Sequence, residues 1–542
     1  MRDLDTIIRY HERTKHHLNR YARSLGYLDW KNQPDPFRRY EGAPVLALEL
    51  LSDNEGPTYD SLFETLPDAA LLSKRSVSAL LFDSLSLSAW KSVGKDRWSL
   101  RVNPSSGNLH PTEAYLLAGP IESLHDAPAL YHYAPFPHAL ELRAELSLET
   151  WNDLSSSLPK GAFFVGLASI PWREAWKYGE RAFRYCQHDV GHALAALSLA
   201  AAMRGWVCRL IEGIDDAALA TLLGIGEQQG DEREHPDGLI VVHPAADSMQ
   251  KEGTFLFPSA FVEAMRAVPL LGKENRLSLD HHPWPIIEEV AAAAAKQAPA
   301  AGVEPAASKV SPRKLAVRPV GARALVRKRR SAVALDGESV LDRDEFFQML
   351  LRLVPPGLPL NVLPWPSEVH MMLLVHRVRD VEPGLYALVR NPVQEQAVRV
   401  ALDEAFVWQE PAGCPAALHL RMLMPADVRD LARTLSCHQD IASDGVFSVA
   451  MIARFRAALE ERGPWYYRRL FWETGILGQV LYLEAEAAGL AGTGIGCFFD
   501  DAVHQVLGIR DDAFQSLYHF TVGGRVEDPR LHTTAAYEHL KG

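Results

Sequence analysis

An internal repeat most constrains how this chain of 542 residues can fold. Three short motifs recur at one offset of 255 residues: 74–76 (KRS) with 329–331 (RRS), 111–113 (PTE) with 366–368 (PSE), and 128–131 (PALY) with 383–386 (PGLY). Because three matches at one offset are difficult to produce by chance, we interpret the chain as a tandem duplication.

The repeat continues at a longer offset further along the chain. Pairs separated by 284 residues are Arg184 with Arg468, Gly191 with Gly475, and Gly224 with Gly508. The second half has therefore gained residues between the two blocks of the repeat.

Composition divides the chain into segments. The stretch 289–320 is rich in Ala and Pro and poor in aromatic residues, and its prolines would interrupt any long helix, which is typical of a linker that is helical at most over its poly-Ala part. We predict four segments: an N-terminal extension (1–66) that packs on the first domain, a first domain (67–288), the linker (289–320) and a second domain (321–542).

Both halves show the same order of predicted elements. A basic turn precedes a helix (76–90 and 331–353), an apolar strand (114–117 and 371–375), a long helix with apolar residues at three-to-four spacing (190–203 and 475–488) and a closing strand (238–242 and 517–522). Helices that alternate with isolated strands predict an α+β fold in which each domain has a central sheet packed by helices.

The overall composition excludes several classes of protein. A net charge of −12 gives the chain no general attraction to nucleic acid or anionic membranes. The most apolar run, 193–203, is shorter than the ~20 residues that span a bilayer. The first residues do not resemble a secretory signal, and the five cysteines include no C-x-x-C pair. We therefore expect a cytoplasmic protein.

Four motifs carry a family resemblance: 101–117 (RVNPSSGNLHPTEAYLL), 176–185 (WKYGERAFRY), 491–501 (AGTGIGCFFDD) and 517–531 (LYHFTVGGRVEDPRL). Together they resemble the nitroreductase superfamily, and specifically its SagB/ThcOx-type dehydrogenase branch. The resemblance implies two interlocked subunits with FMN in the interface between them. In a tandem chain the two halves would replace the two subunits as an intramolecular pseudo-dimer, which is compatible with a monomer.

The resemblance also implies which residues contact FMN. One half would supply a basic turn, a glycine-containing strand near the flavin ring and a C-terminal arginine at the phosphate, and the other half would supply the P-S-S-x-N loop over the ring. Arginine suits a bidentate grip on phosphate, and glycine lets the backbone approach the ring. The predicted contacts are Arg101, Pro104, Ser105, Ser106, Gly107, Asn108, Arg329, Arg330, Ser331, Gly494, Ile495, Gly496 and Arg525.

The reversed site has lost its important groups. At the offset of 255, 104–108 (PSSGN) corresponds to 359–363 (PLNVL), which has neither serine. The segment 523–525 (GGR) has 242–244 (VHP) in its place, so the phosphate arginine is missing too. Because both losses affect the same composite site, we predict one FMN per chain.

Lys177 and Tyr178 are the predicted catalytic pair. They resemble the Lys-Tyr pair to which proton abstraction is attributed in azoline-oxidising relatives, where a lysine of lowered pKa or a tyrosine beside a cation could act as a general base. The alternative is a pair that merely packs its side chains at a helix start.

Other motifs favour structural roles. His188 and His192 have the i, i+4 spacing of a zinc pair but no third ligand, so we predict no metal site. The glycines at 492, 494 and 496 lack the spacing of a dinucleotide-binding fingerprint. Cys497 is interpreted as a small core residue rather than a redox thiol.

The sequence predicts an FMN-dependent oxidoreductase that transfers hydride between flavin N5 and a small organic or peptide-derived heterocyclic substrate, with O2 re-oxidising the flavin. Two alternatives stay open. One is an NAD(P)H-dependent reductase of nitro or quinone compounds, and the other is a non-catalytic flavin-binding partner within a peptide-modification complex.

Overall fold

The computed structural model of the chain describes residues 2–245, 255–300 and 318–540. In the first half the helices are α1 (Arg2–Arg13), α2 (Lys74–Phe82), α3 (Leu148–Ser155), α4 (Pro171–Tyr178), α5 (Ala182–Ala202), α6 (Asp216–Leu222), α7 (Ser259–Ala267) and α8 (Pro285–Ala293). The strands are β1 (Tyr40–Glu41), β2 (Val45–Ala47), β3 (Leu87–Val93), β4 (Asp96–Arg101), β5 (Thr112–Ala118), β6 (Ala129–Ala134), β7 (Ala139–Glu145), β8 (Phe163–Ser169), β9 (Trp206–Ile211), β10 (His235–Pro244) and β11 (Lys273–Glu274).

The second half repeats this plan. Its helices are α9 (Ala322–Lys328), α10 (Arg343–Arg352), α11 (Glu395–Ala401), α12 (Arg429–Leu435), α13 (Asp440–Asp444), α14 (Arg456–Arg462), α15 (Tyr466–Ala487) and α16 (Asp500–Leu507). Its strands are β12 (Val369–Val375), β13 (Gly384–Leu388), β14 (Leu420–Pro425), β15 (Phe447–Arg454), β16 (Ala491–Ile495), β17 (Phe514–Gly523) and β18 (His532–Thr534).

Each half contains one large antiparallel sheet. The strand order is β2-β7-β6-β5-β8-β10-β9 in the first half and β14-β13-β12-β15-β17-β16 in the second. The middle strands β5, β8, β12 and β15 are entirely or almost entirely buried, as expected for sheets covered by helices on both faces. The predicted α+β fold with two similar domains is confirmed.

The long helices α5 and α15 join the two halves. All residues of α5 and all but the last of α15 are buried. The repeat-matched glycines meet at their crossing, because a Cβ on Gly191 would lie 2.8 Å from the Cα of Gly475, and the converse distance is the same. The absence of side chains at this point lets the two backbones touch. The duplication therefore folds as a pseudo-dimer about this contact.

The two halves also exchange peripheral segments. Strand β18, near the C-terminus, pairs with β3 of the first half, and the hydroxyl of Tyr537 accepts a hydrogen bond from the amide of Leu87. The N-terminal extension contacts both halves rather than the first alone. Tyr10 donates to the carbonyl of Glu180, whereas the amide of His16 donates to Asp500.

Several predicted element bounds need correction. The first basic-turn helix ends at Phe82, and Trp90 belongs to strand β3, because a tight turn at 83–86 starts a hairpin. In the second half, 331–342 is mostly loop and only α10 is helical. The linker begins with α8, which ends at Ala293, and its central part, 301–317, lies outside the described residues. Among the described residues, no helix is long and apolar enough to cross a membrane.

Candidate functional site

A cavity of about 680 Å³ lies between the two halves, within the size range of cofactor pockets. Every residue that the sequence assigned to FMN contact lines it. The first half contributes Arg101 and Pro104 to Asn108, and the second half contributes Arg329 to Ser331, Gly494 to Gly496, and Arg525. Of the predicted catalytic pair, Tyr178 lines the cavity and Lys177 does not.

One end of the cavity is strongly cationic. Lys328, Arg329, Arg330 and Arg525 gather there around one carboxylate, Glu486, which forms ion pairs with Arg525 and Lys328. Burial and the neighbouring cations Arg329 and Arg327 lower the pKa of Arg330 to about 9. Positive charges held together in a buried place favour an anion, and planar guanidinium groups suit a phosphate.

Arg329 joins the halves at this end. It is buried, and its guanidinium donates to the carbonyl oxygens of Val102 and Arg101 at 3.2 Å each. It also lies over the ring of Tyr482, with its guanidinium carbon 4.9 Å from the ring centre. Arg101 turns its own guanidinium away, toward the carbonyl of Pro36 at 2.5 Å. Arg101 therefore holds the N-terminal extension, while its backbone receives Arg329.

The loop 104–108 forms the polar floor of the cavity. Gly107 has a left-handed φ of 59°, and a Cβ there would come within 2.5 Å of the Tyr178 hydroxyl, so only glycine fits. The Ser105 hydroxyl accepts from the amide of His110 at 2.7 Å. The amide and hydroxyl of Ser106 each donate to Asp189 at 3.0 Å. These bonds hold the short polar side chains at the cavity surface.

Asp189 anchors this loop from helix α5. Burial raises the pKa of its carboxyl group to about 7, even though hydrogen bonds from Ser105 and Ser106 act in the opposite direction. The carboxyl group therefore exchanges its proton near neutral pH, directly beneath the loop.

Asp189→Asn is expected to reduce the loss of stability at rising pH. In wild type, the stabilisation from the protonated carboxyl is complete below the unfolded pKa near 3.8 and disappears as pH rises toward 7. Asparagine stays neutral and can still accept from Ser106, so the melting temperature of the variant should rise above that of wild type between about pH 5 and pH 8. Each pKa unit corresponds to about 1.4 kcal/mol. A constant difference would contradict the assignment, and Asp427→Asn, whose exposed carboxyl has a lowered pKa, serves as the pH-insensitive control.

Strand β16 forms the opposite wall. A Cβ on Gly494 would lie 1.9 Å from the Tyr518 hydroxyl, and one on Gly496 would lie 2.2 Å from the Tyr185 ring. The amide of Gly494 donates to the Tyr482 hydroxyl at 2.9 Å, and that hydroxyl also contacts the Ser331 hydroxyl at 2.8 Å. The wall thus consists of backbone backed by tyrosines, which leaves room for a flat molecule.

The Lys177–Tyr178 pair ends helix α4 beside the loop. Burial and the nearby Glu174 carboxyl raise the pKa of Tyr178 well above its usual value, so its phenol is protonated at neutral pH. Burial and the neighbouring Asp189 likewise raise the pKa of Glu174, whose carboxyl oxygens have no hydrogen-bond partner among the described residues. The ammonium of Lys177 lies 5.2 Å from the centre of the Tyr178 ring. Tyr178 is therefore suited to donate a proton.

His188 and His192 have structural partners. The Nε2 atom of His188 lies 3.0 Å from the carbonyl of Leu517, and the Nε2 atom of His192 lies 3.1 Å from the Tyr518 hydroxyl. Burial lowers the pKa of both rings, which are neutral at pH 7. In the described ranges, no group of three metal-ligating side chains occurs.

The reversed site has closed on itself. The turn Leu360–Val362 packs against β9, and Leu360, Val362 and Leu363 are buried in the main core. The Arg209 guanidinium reaches the carbonyl of Asn361 at 3.5 Å. Apolar side chains therefore fill the place that corresponds to the polar floor of the cavity.

Sequence reasoning missed several side chains that line the cavity. They are Tyr185, Asp189, His192, Tyr482 and Tyr518. One signal was present: Asp189 and Glu473 occupy repeat-matched positions, which places a carboxylate within an apolar helix in both halves. The tyrosines carry no comparable signal, because aromatic residues in buried helices and strands usually serve the core.

The profile of the Nitroreductase family matches residues 64–231 and 388–524, more than half of the chain. The chain belongs to the Nitroreductase family. Members of this family are typically flavin-dependent oxidoreductases.

Solved structures share the fold of this family member. A protein of Anabaena variabilis assigned as a nitroreductase matches with a TM-score of 0.69 and 23% identity, covering 96% of this chain and 99% of that one. The E. coli microcin synthetase McbBCD complex matches at 0.27 and 19% identity over 45% and 94%. An NAD(P)H:FMN oxidoreductase assigned in Staphylococcus epidermidis matches at 0.22 and 12% identity over 40% and 92%. A comparison with curated protein sequences finds no match.

Proposed function

We propose that this chain is an FMN-dependent oxidoreductase with one flavin held between its two halves. The observation that carries the proposal is the division of the cavity into a cationic end, a polar floor and a glycine-lined wall, supplied by different halves. Arg329, Arg330 and Arg525 would hold the phosphate, because four clustered cations have only Glu486 as a close counter-ion.

The remaining surfaces suit the flavin ring. Ser105, Ser106 and Asn108 present short polar groups on the floor, and the backbone of Gly494 to Gly496 forms the facing wall. When bound, FMN supplies hydride transfer at its N5 atom. The protein would orient the ring and stabilise the negative charge that develops on reduction, through donors fixed by Asp189 and by the Arg329 contacts.

The Lys177–Tyr178 pair favours the SagB/ThcOx-type dehydrogenase reaction over reduction of nitro compounds. In that reaction a substrate loses a proton and a hydride, so a basic and an acidic group beside the cavity are needed. Tyr178, protonated and on the cavity surface, would position the substrate or return a proton, and Lys177 would remove one. A heterocycle derived from a peptide is the proposed substrate, with O2 as the final oxidant, in a cytoplasmic protein.

Purified protein is expected to be yellow and to release FMN, not FAD, at one equivalent per chain. The single equivalent follows from the buried leucines in the reversed site. Absorbance of the denatured supernatant with chromatography against both flavins gives identity and stoichiometry. A colourless protein that FMN cannot reconstitute would contradict the proposal, as would two equivalents per chain.

The same preparation distinguishes the alternatives under anaerobic conditions. An azoline-type donor should bleach the flavin, whereas rapid bleaching by NADPH without an azoline response would favour the reductase. Retained flavin that responds to neither donor would favour a non-catalytic binding partner.

A further inference from the structure

Two cysteines meet beside the cavity. The sulfur of Cys497 lies 2.9 Å from that of Cys437, although they are 60 residues apart in sequence. Cys497 follows β16 and lines the cavity, and Cys437 follows α12. Both are free and half-buried, whereas Cys186 and Cys208 are fully buried. The interpretation of Cys497 as an ordinary core residue therefore needs correction.

The surroundings of the pair separate the roles of the two sulfurs. The hydrogen bond from Cys437, together with His16 and Arg181, lowers the pKa of Cys497 to about 5. The same contact and burial raise the pKa of Cys437. At neutral pH the arrangement thus holds a thiolate at Cys497 and a thiol at Cys437. A thiolate that reaches a cavity is the nucleophilic form of cysteine.

The position of the pair is fixed from several elements. Arg181 donates to the carbonyl of Gly496 at 3.1 Å and to Asp500 at 3.1 Å. The amide of His16 donates to the same Asp500 carboxyl at 2.9 Å. Gln439 donates to the carbonyl of Cys497 at 3.1 Å. The N-terminal extension, helix η-turn residues after α4 and the loop after α12 therefore converge on the two sulfurs.

We infer that Cys437 and Cys497 form a redox-active dithiol that reacts with small-molecule disulfides. The Cys497 thiolate attacks one sulfur of the disulfide, whose S–S bond breaks, and one thiolate leaves. Cys437 then loses its proton and attacks the Cys497 sulfur, so that the mixed disulfide breaks and the second thiolate leaves. The two protein thiols lose two electrons and two protons in all, and the small molecule gains them as two thiols.

This activity goes beyond the proposed flavin function and does not depend on it. Closing the bond requires the sulfurs to approach to about 2.05 Å, a short movement for side chains already in contact. The disulfide would join the loop after α12 to the strand that carries Gly494 and Gly496. Disulfides in reducing compartments are usually transient and catalytic or redox-sensing, which fits a pair at a cavity wall.

The test uses the full-length protein, reduced, freed of reductant and treated with 2-hydroxyethyl disulfide. Intact-mass spectrometry should show the loss of two hydrogens in wild type, reversed by dithiothreitol. Cys437→Ser should stop at a mixed disulfide on Cys497, located by peptide mapping, and Cys497→Ser should form neither product. Cys414→Ser is the matched control and should behave as wild type, because Cys414 is half-buried with a pKa raised to about 11.

A second measurement needs no substitution. Iodoacetamide at neutral pH should modify Cys497 in wild type at least about tenfold faster than Cys414, because the thiolate is the reactive form. Equal labelling rates would overturn the inference. So would a wild-type protein that forms no internal disulfide, or a Cys497→Ser variant that forms mixed disulfides as readily as Cys437→Ser.

Discussion

Arg525→Ala is expected to weaken FMN binding about ten- to a hundredfold. Hydrogen bonds to a charged group contribute roughly 1.5–3 kcal/mol, and this arginine belongs to the proposed phosphate end of the cavity. Its Nε atom is buried without a hydrogen-bond partner among the described residues, so one donor is free for an anion. The dissociation constant would be measured by quenching of flavin fluorescence as FMN is titrated into the apoprotein.

A nearby arginine provides the matched control. Arg530 lies five positions further on, is highly exposed and pairs with Asp528, so Arg530→Ala should bind FMN like wild type. Arg525→Lys should fall between the two, because it keeps the charge and loses the guanidinium geometry. Wild-type affinity in Arg525→Ala would remove this residue from the phosphate site.

Gly475→Ala is expected to destabilise the whole chain by about 1–3 kcal/mol or more. A Cβ at this position would lie 2.2 Å from the carbonyl oxygen of His188, 2.8 Å from the Cα of Gly191 and 3.0 Å from the amide of His192. All three are backbone atoms of α5, so relief requires the two helices to separate. Since these helices join the halves, the midpoints of thermal and urea unfolding should both fall.

Gly226→Ala is the control for this substitution. Gly226 is exposed, its φ is not in the left-handed region, and the atom nearest to an added Cβ lies 3.8 Å away. Its effect should stay within about 0.5 kcal/mol of wild type. An unfolding midpoint in Gly475→Ala equal to that of the control would mean that the two helices do not meet as the structure places them.

The repeat explains why much of the architecture could be predicted from sequence. Matching Gly191 with Gly475 identified the two positions where the helix backbones touch, before any contact was known. The loss of both serines from 359–363 predicted the site that is now filled by Leu360, Val362 and Leu363. Motif resemblance, in turn, selected residues that lie along one cavity although they come from both halves.

Other features could not be predicted because they depend on contacts between distant segments. The contact of Cys437 with Cys497 depends on where the loop after α12 meets the end of β16, and Cys437 stands in no recognised motif. The strand at Trp90 follows an apolar stretch that helix periodicity also fits, and the partner that fixes it, β18, comes from the far end of the chain. The raised pKa of Asp189 depends on burial, which its sequence neighbours do not reveal.

A crystal structure of the chain with FMN bound tests the central claim most directly. The account predicts one flavin per chain, with its phosphate within hydrogen-bonding distance of Arg330 or Arg525 from the second half. Its ring should lie between the loop at Ser105 and Ser106, from the first half, and Gly494 of the second. A flavin that contacts one half alone, or a second flavin at the turn Leu360–Val362, would contradict the composite site.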